Sequence, residues 1–239
     1  RNLIVEGSEM RRKFIDSVIG QIDKVYLRRV MDYNKILTQR NSLLKYFFIN
    51  KKFDENTIDA YNQQLISLGT PIYTERNKFL KSFIPIFKKY YNNISSGDDI
   101  VNIKYNSHLN DGSFSEIISS SISKDRFVQY TTKGIHRDDL DFLIDGNKIK
   151  NFGSQGQQKS FLVSLKLAQF EYYKEKFGSS PIVLLDDIFD KLDQSRVTQI
   201  VNILEKNEFG QIFITDTHKE RVEEALKDSS NKEEIFNIE

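Results

Sequence analysis

Residues 181–193 read Pro181-Ile182-Val183-Leu184-Leu185-Asp186-Asp187-Ile188-Phe189-Asp190-Lys191-Leu192-Asp193. Four apolar residues running into two acids form the pattern of a buried strand that delivers carboxylates to a sheet edge. In open α/β sheets, ligands sit just beyond the carboxyl ends of the strands. An acid pair there points to a metal–phosphate site, with one carboxylate for Mg2+ and one for the attacking water. Upstream lies Phe152-Gly153-Ser154-Gln155-Gly156-Gln157-Gln158-Lys159-Ser160, followed by an apolar-periodic run. Ser154 is placed to cap a helix there, since its hydroxyl accepts a free N–H of the first turn. Gly156 leaves the backbone open to close approach, and a helix N-terminus of this kind is a ready anion site. Each half taken singly also has a plain structural reading, as a solvated strand end or as an ordinary helix cap.

Taken together, the two halves resemble the ABC-type ATPase head. Ser154, Gln155, Gly156 and Gln157 match its signature loop, a helix follows, and 182–186 match its Walker B strand. Asp186 then stands where Mg2+ is held and Asp187 where the family carries its catalytic acid, here one methylene shorter than the usual Glu. Asp190-Lys191-Leu192-Asp193 follows as the D-loop. Further blocks narrow the match: Lys133-Gly134-Ile135-His136-Arg137-Asp138-Asp139-Leu140, Leu165-Lys166-Leu167-Ala168-Gln169, Arg11-Arg12-Lys13-Phe14-Ile15-Asp16 and Gln39-Arg40-Asn41-Ser42-Leu43-Leu44-Lys45. With these the chain closely resembles the RecF family of bacterial recombination mediators over nearly its whole length, most weakly between 92 and 123.

The resemblance implies an α/β fold: the C-terminal part of an ABC-type ATPase lobe with an inserted helical-hairpin arm. It divides the chain into 1–128, the arm and its associated insert, and 129–239, the lobe. It also implies a cytoplasmic protein of DNA replication, repair, recombination and the SOS response. Such a protein forms an ATP-dependent homodimer on gapped or junction DNA and works with RecO and RecR to load RecA. ATP with Mg2+ would act as a clamp with slow, DNA-dependent hydrolysis. The switch His of ABC-type heads directly follows the Thr that ends the next strand; here Asp216 takes that slot and His218 lies two residues on. Rival readings are another ABC-type head, such as a transporter ATPase, and a non-enzymatic DNA-binding or scaffold module whose acids are structural.

Composition sets bounds on these readings. The 239 residues carry 35 Lys+Arg against 34 Asp+Glu, so any DNA contact must be a local patch rather than a global field. Cys is absent, which removes disulfides and thiolate metal sites and fits a reducing compartment. No apolar run approaches the ~18 residues of a membrane span. The sequence has no Gly-x-x-x-x-Gly-Lys-Ser/Thr, the loop that cradles phosphates, and it begins at Arg1. The expectation is a fragment lacking the P-loop segment and inactive alone towards ATP, with a degenerate paralogue as the alternative.

Along the arm, apolar residues recur at helical spacing over 9–48, with Gly20 as a possible break. A second helical run starts near Asp54, and Gly69-Thr70-Pro71 is expected to kink or interrupt it. Arg11, Arg12 and Lys13, Arg28 and Arg29, Lys51 and Lys52, and Lys88 and Lys89 read as a solvated face or as contacts to DNA phosphates. Val101, Ile103 and Tyr105 alternate as a strand, 114–122 reads as a short helix, and 127–132 reads as extended. Residues 139–150 read as a β-hairpin turning at Asp145-Gly146-Asn147. His136 with Asp138 and Asp139 is open to two readings, metal or acid–base chemistry on one side and a turn with local ion pairs on the other. Residues 211–215 read as a second buried strand.

Overall fold

The helical periodicity of residues 8–95 resolves into three helices in this computed structural model, α1 (Ser8–Ile22), α2 (Lys24–Ile49) and α3 (Glu55–Ser95). The structure describes residues 3–95, 99–186, 188–206 and 210–216, together with 223, 224, 227 and 234. Its two compact units are interleaved in sequence: Arg1–Ser82 with Ile103–Phe142, and Phe83–Asn102 with Leu143–Glu239.

In the first unit the break between α1 and α2 falls at Asp23, not at Gly20. The Asp23 side chain accepts the N–H groups of Val25 and Tyr26 at 2.8 and 3.0 Å, and so caps α2. Gly20 lies inside α1, where a Cβ would stand 3.3 Å from Leu27. The stripe of Ile15, Val18, Tyr26, Tyr33, Leu44, Ile58 and Leu65 is buried as core.

α3 runs unbroken through Gly69-Thr70-Pro71, against expectation. Pro71 cannot donate to the carbonyl of residue 67, but Ser67 is exposed and water can satisfy that group. Gly69 serves packing instead of a turn, because a Cβ there would sit 2.4 Å from the Phe114 ring and 3.1 Å from Tyr33. Gly69→Ala is therefore expected to destabilise the fold by about 1–3 kcal/mol through overpacking. A thermal melt checks this, and an unchanged Tm would reject it.

α4 (Phe114–Val128) opens with a capping box in which Ser113 and Glu116 exchange side-chain–backbone hydrogen bonds. It is longer than the sequence pattern indicates. Residues 127 and 128, read as extended, form its last turn, and the helix ends at Gln129 with φ 64°.

In the second unit the end of α3 packs on α6 (Gln155–Phe177). Phe87 and Phe161 have ring centroids 4.5 Å apart, Tyr91 lies 6.1 Å from Phe161, and the Tyr90 hydroxyl donates to Glu171 at 3.1 Å. β1 (Val101–Asn106), β2 (Asp139–Ile144) and β3 (Asn147–Lys148) form one sheet in that order. The hairpin register pairs Ile144 with Asn147 across the two-residue turn Asp145-Gly146. Both turn residues have positive φ, 48° and 77°, as a type I′ turn requires. Ile149 does not extend the hairpin but starts the short helix α5 (Ile149–Phe152).

β4 (Ile182–Asp186) and β5 (Gln211–Thr215) pair in parallel, with α7 (Gln194–Lys206) between them in sequence. The expectation of two fully buried strands fails. Ile182, Leu184 and Phe213 are 61, 74 and 55% exposed, whereas Leu185 is buried. Side chains alternate across a strand, so a two-stranded sheet covered on one side leaves one row open.

Candidate functional site

Ser154 caps α6 as its spacing predicts. Its hydroxyl accepts the Gln157 N–H at 3.2 Å, and Gln157 Oε1 accepts the Ser154 N–H at 2.8 Å. Ser154 and Gln155 are exposed, so the capped loop faces outward. Gln157 also donates through Nε2 to both oxygens of Asp99, at 3.2 and 3.3 Å. A Cβ on Gly156 would lie 2.4 Å from Arg196 Nη1 and 3.6 Å from the Lys191 carbonyl, so glycine there admits an arginine against the backbone.

That arginine stands in the first turn of α7. Asp193 accepts the Arg196 N–H at 3.0 Å, which caps α7, and pairs with the Arg196 guanidinium at 3.1 Å. The residues read as signature loop and D-loop thus lie against each other within one chain. Asp186 ends β4 in register with Thr215, whose hydroxyl donates to Asp186 Oδ1 at 2.5 Å. Asp216 follows β5 directly and is half-buried. Asp187 and His218 lie outside the described residues. Among the described residues no group of three or more His, Asp or Glu side chains could hold a metal by itself. Asp186, with its oxygens at a strand end, suits Mg2+, which binds through one or two carboxylates and completes its shell with water and phosphate.

The block 134–139 is structural. Arg76, 3% exposed, donates to Asp16 at 3.0 and 3.1 Å, to Asp138 at 2.8 Å and to the Ile135 carbonyl at 3.0 Å. Burial opposes its charge, but Asp16, Tyr26, Tyr105 and Asp138 more than offset this and hold the guanidinium protonated. Burial also lifts the Asp138 carboxyl above its ordinary range, against Arg76 and the Tyr105 hydroxyl that donates to it. Arg40, fully buried, ties Asn62, Asp125 and Thr131 together at 2.8 Å each. The 39–45 block and the 133–140 block thus each contribute to a buried polar network of the first unit.

His136 belongs to that interior too, and not to a site shared with Asp138. Its Nε2 faces the Thr131 carbonyl at 3.0 Å, which can only accept, so Nε2 carries the proton and Nδ1 accepts the Tyr33 hydroxyl at 3.0 Å. Burial drives its pKa from 6.5 to about 4. Below pH ~6.5 the unfolded chain takes up a proton that the folded chain refuses, so stability is lost as pH falls and the loss is complete below about 4. The expected cost is about 3 kcal/mol. Urea unfolding of the parent and His136→Gln across this window checks it, and parallel pH profiles for the two would reject it.

The basic clusters divide. Arg11 pairs with Asp139 at 2.7 Å and donates to the Leu3 and Glu6 carbonyls, and Arg12 donates to the Asp138 carbonyl at 2.7 Å. Arg28, Lys51 and Lys52 are exposed and Arg29 is half-buried. Lys13 is exposed and pairs with Glu9. Sequence reasoning missed Asp99, Tyr91, Thr215 and Arg196. Only Thr215, an apolar run ending in a hydroxyl residue, carried a local signal.

The DNA replication and repair protein RecF of Flavobacterium johnsoniae is 51% identical over 238 residues, covering 100% of this chain and 66% of that protein. RecF of Phocaeicola vulgatus is 44% identical, covering 99% and 63%. The chain belongs to the RecF family. It spans about 63–66% of the length of these curated RecF relatives. The solved structure of the recombination mediator protein RecF-ATPrS in the RecFOR pathway matches at TM-score 0.78 and 29% identity, over 91% of this chain and 60% of that one. The α/β fold of the C-terminal part of an ABC-type head is thereby shown, as is the RecF assignment. No family model matches the chain. Among the described residues no helix is long and apolar enough to cross a membrane.

Proposed function

We propose that this chain carries the half-site that a RecF protein presents, in trans, to ATP held by a second copy. The carrying observation is the outward-facing, capped Ser154–Gln157 loop packed against Arg196 in the first turn of α7 and the Lys191 carbonyl that precedes that helix. The capping box uses the Ser154 and Gln157 N–H groups and not those of Gln155 and Gly156, and the dipole at the start of a 23-residue helix favours an approaching anion. The names of the solved relatives, RecF-ATPrS and RecF-ATP, support the choice of nucleotide. Mg2+ bound with the nucleotide would neutralise developing phosphate charge, and Asp186 is the residue that would hold it, its other contact being the Thr215 hydroxyl.

Asp187 would orient the attacking water, and Asp216 or His218 would sense the terminal phosphate. The open row of Ile182, Leu184 and Phe213 would be covered by part of the further length that the curated relatives possess. The whole protein would act in the cytoplasm in DNA repair, binding gapped or junction DNA through exposed cations such as Arg28, Lys51 and Lys52. It would help RecO and RecR load RecA, the RecFOR pathway being the setting named for the solved relative.

Ser154→Arg in the intact protein tests this reading. It places a bulky cation at the loop that meets the partner's nucleotide, and should abolish ATP-driven dimerisation while sparing ATP binding to the monomer. Sedimentation with and without ATP reads the result, and a variant that dimerises normally rejects the assignment.

A further inference from the structure

A helix cap alone does not explain glutamine at position 157. The cap uses only Oε1, which accepts the Ser154 N–H. Glutamate serves that purpose equally well at this position of a capping box. Glutamate could not donate to Asp99, however, and the Gln157 amide does so with both Asp99 oxygens in reach. Asp99 also accepts the Tyr91 hydroxyl at 3.0 Å. Tyr91 is fully buried near the C-terminal end of α3, against Phe161 of α6. Burial, and after it the bond to Asp99, raises its phenol far above the ordinary value, so it remains a donor at neutral pH. Both ends of the Gln157 amide are therefore committed, one to the loop backbone and one to a carboxylate anchored on a buried ring.

We propose that Asp99 is a positioning residue, which sets the signature loop for nucleotide engagement by holding the Gln157 amide. Tyr91 orients Asp99, so the loop's geometry is governed from the end of α3 as well as by its own helix. This role rests on the reading of Ser154–Gln157 as the loop presented in trans.

The test is ATP-driven dimerisation of the intact protein, followed by sedimentation, with Mg-ATP binding to the monomer measured alongside. Asp99→Ala should weaken dimerisation about tenfold, the loss of one charged hydrogen bond, without changing monomer affinity for Mg-ATP. Tyr91→Phe should shift it less, in the same direction. Gln157→Glu keeps the cap but sets two carboxylates face to face, and should lose dimerisation. Adding Asp99→Asn to Gln157→Glu should restore it, because the new amide donates to the new carboxylate. Dimerisation at the parent strength in Asp99→Ala overturns the proposal, as does a double variant no better than Gln157→Glu. If Asp99→Ala does not fold, the comparison of Gln157→Glu with the double variant decides alone. Ser154→Arg separates the two levels: if it abolishes dimerisation while Asp99→Ala does not, only the positioning role falls, whereas normal dimerisation of Ser154→Arg removes the reading beneath it.

Discussion

Arg76→Met is expected to cost about 3–5 kcal/mol of stability, enough to unfold a marginally stable domain, because it strands the buried Asp138 carboxylate and leaves the half-buried Asp16 without its ion-pair partner. Asp138 is 1% exposed and pairs with Arg76 at 2.8 Å, while Asp16 meets the other edge of the guanidinium at 3.0 Å. The Tyr26 hydroxyl, 2.5 Å from Asp16, and the Tyr105 hydroxyl, bonded to Asp138, keep their acids in place once the guanidinium that pairs with both is gone. Arg76→Lys keeps the charge but loses the planar fork that reaches both acids and the Ile135 carbonyl, so it should fall between parent and Met variant. Adding Asp16→Asn and Asp138→Asn to Arg76→Met removes the stranded charges and should recover part of the loss. Urea unfolding of the three variants is the measurement. A loss below about 1 kcal/mol in Arg76→Met would show that water reaches the site and that the network is not the keystone of the first unit.

In the intact protein, Asp187→Asn should lower ATP turnover by about 10²–10⁴, the usual worth of a positioned general base, while leaving Mg-ATP bound and prolonging the dimer. Asp186→Asn should act earlier, weakening Mg-ATP binding itself. The two acids are adjacent in the sequence, and the proposal gives them different roles. Asp186 lies at the end of β4 and already accepts the Thr215 hydroxyl from the neighbouring strand, which fixes one oxygen and leaves the other for a cation. Nucleotide affinity and dimer lifetime for both variants decide the division, and an equal loss of affinity in the two would refute it.

The Ser154 helix cap and the strand end at Asp186 were legible in the sequence because each is a local pattern. Ser154 and Gln157 cap a helix at a separation of three residues, Asp186 closes an apolar run, and Asp193 caps the next helix. Helical spacing likewise marked Ile15, Val18, Tyr26, Tyr33 and Leu44 as core, and they are buried. The Asp145-Gly146 turn is dictated by two residues that tolerate positive φ.

The helical arm, the Asp145-Gly146 turn, the Ser154 cap and the RecF resemblance came from the sequence alone, since each depends on neighbours a few residues apart. Tertiary structure decided what each polar residue faces. Gly69-Thr70-Pro71 looks like a break, yet the helix continues through it, and the glycine serves Phe114, 45 positions away, which fills the space a side chain would need. Arg11 and Arg12 look like a cationic face, yet their partners are Asp139 and the Asp138 carbonyl, more than 120 residues on. Gln157 looks like a cap, and only the fold brings Asp99, 58 residues upstream, within reach of its amide. Such pairings leave no periodic trace, because a hydrogen bond constrains the two residue types and their distance in space but not their separation along the chain.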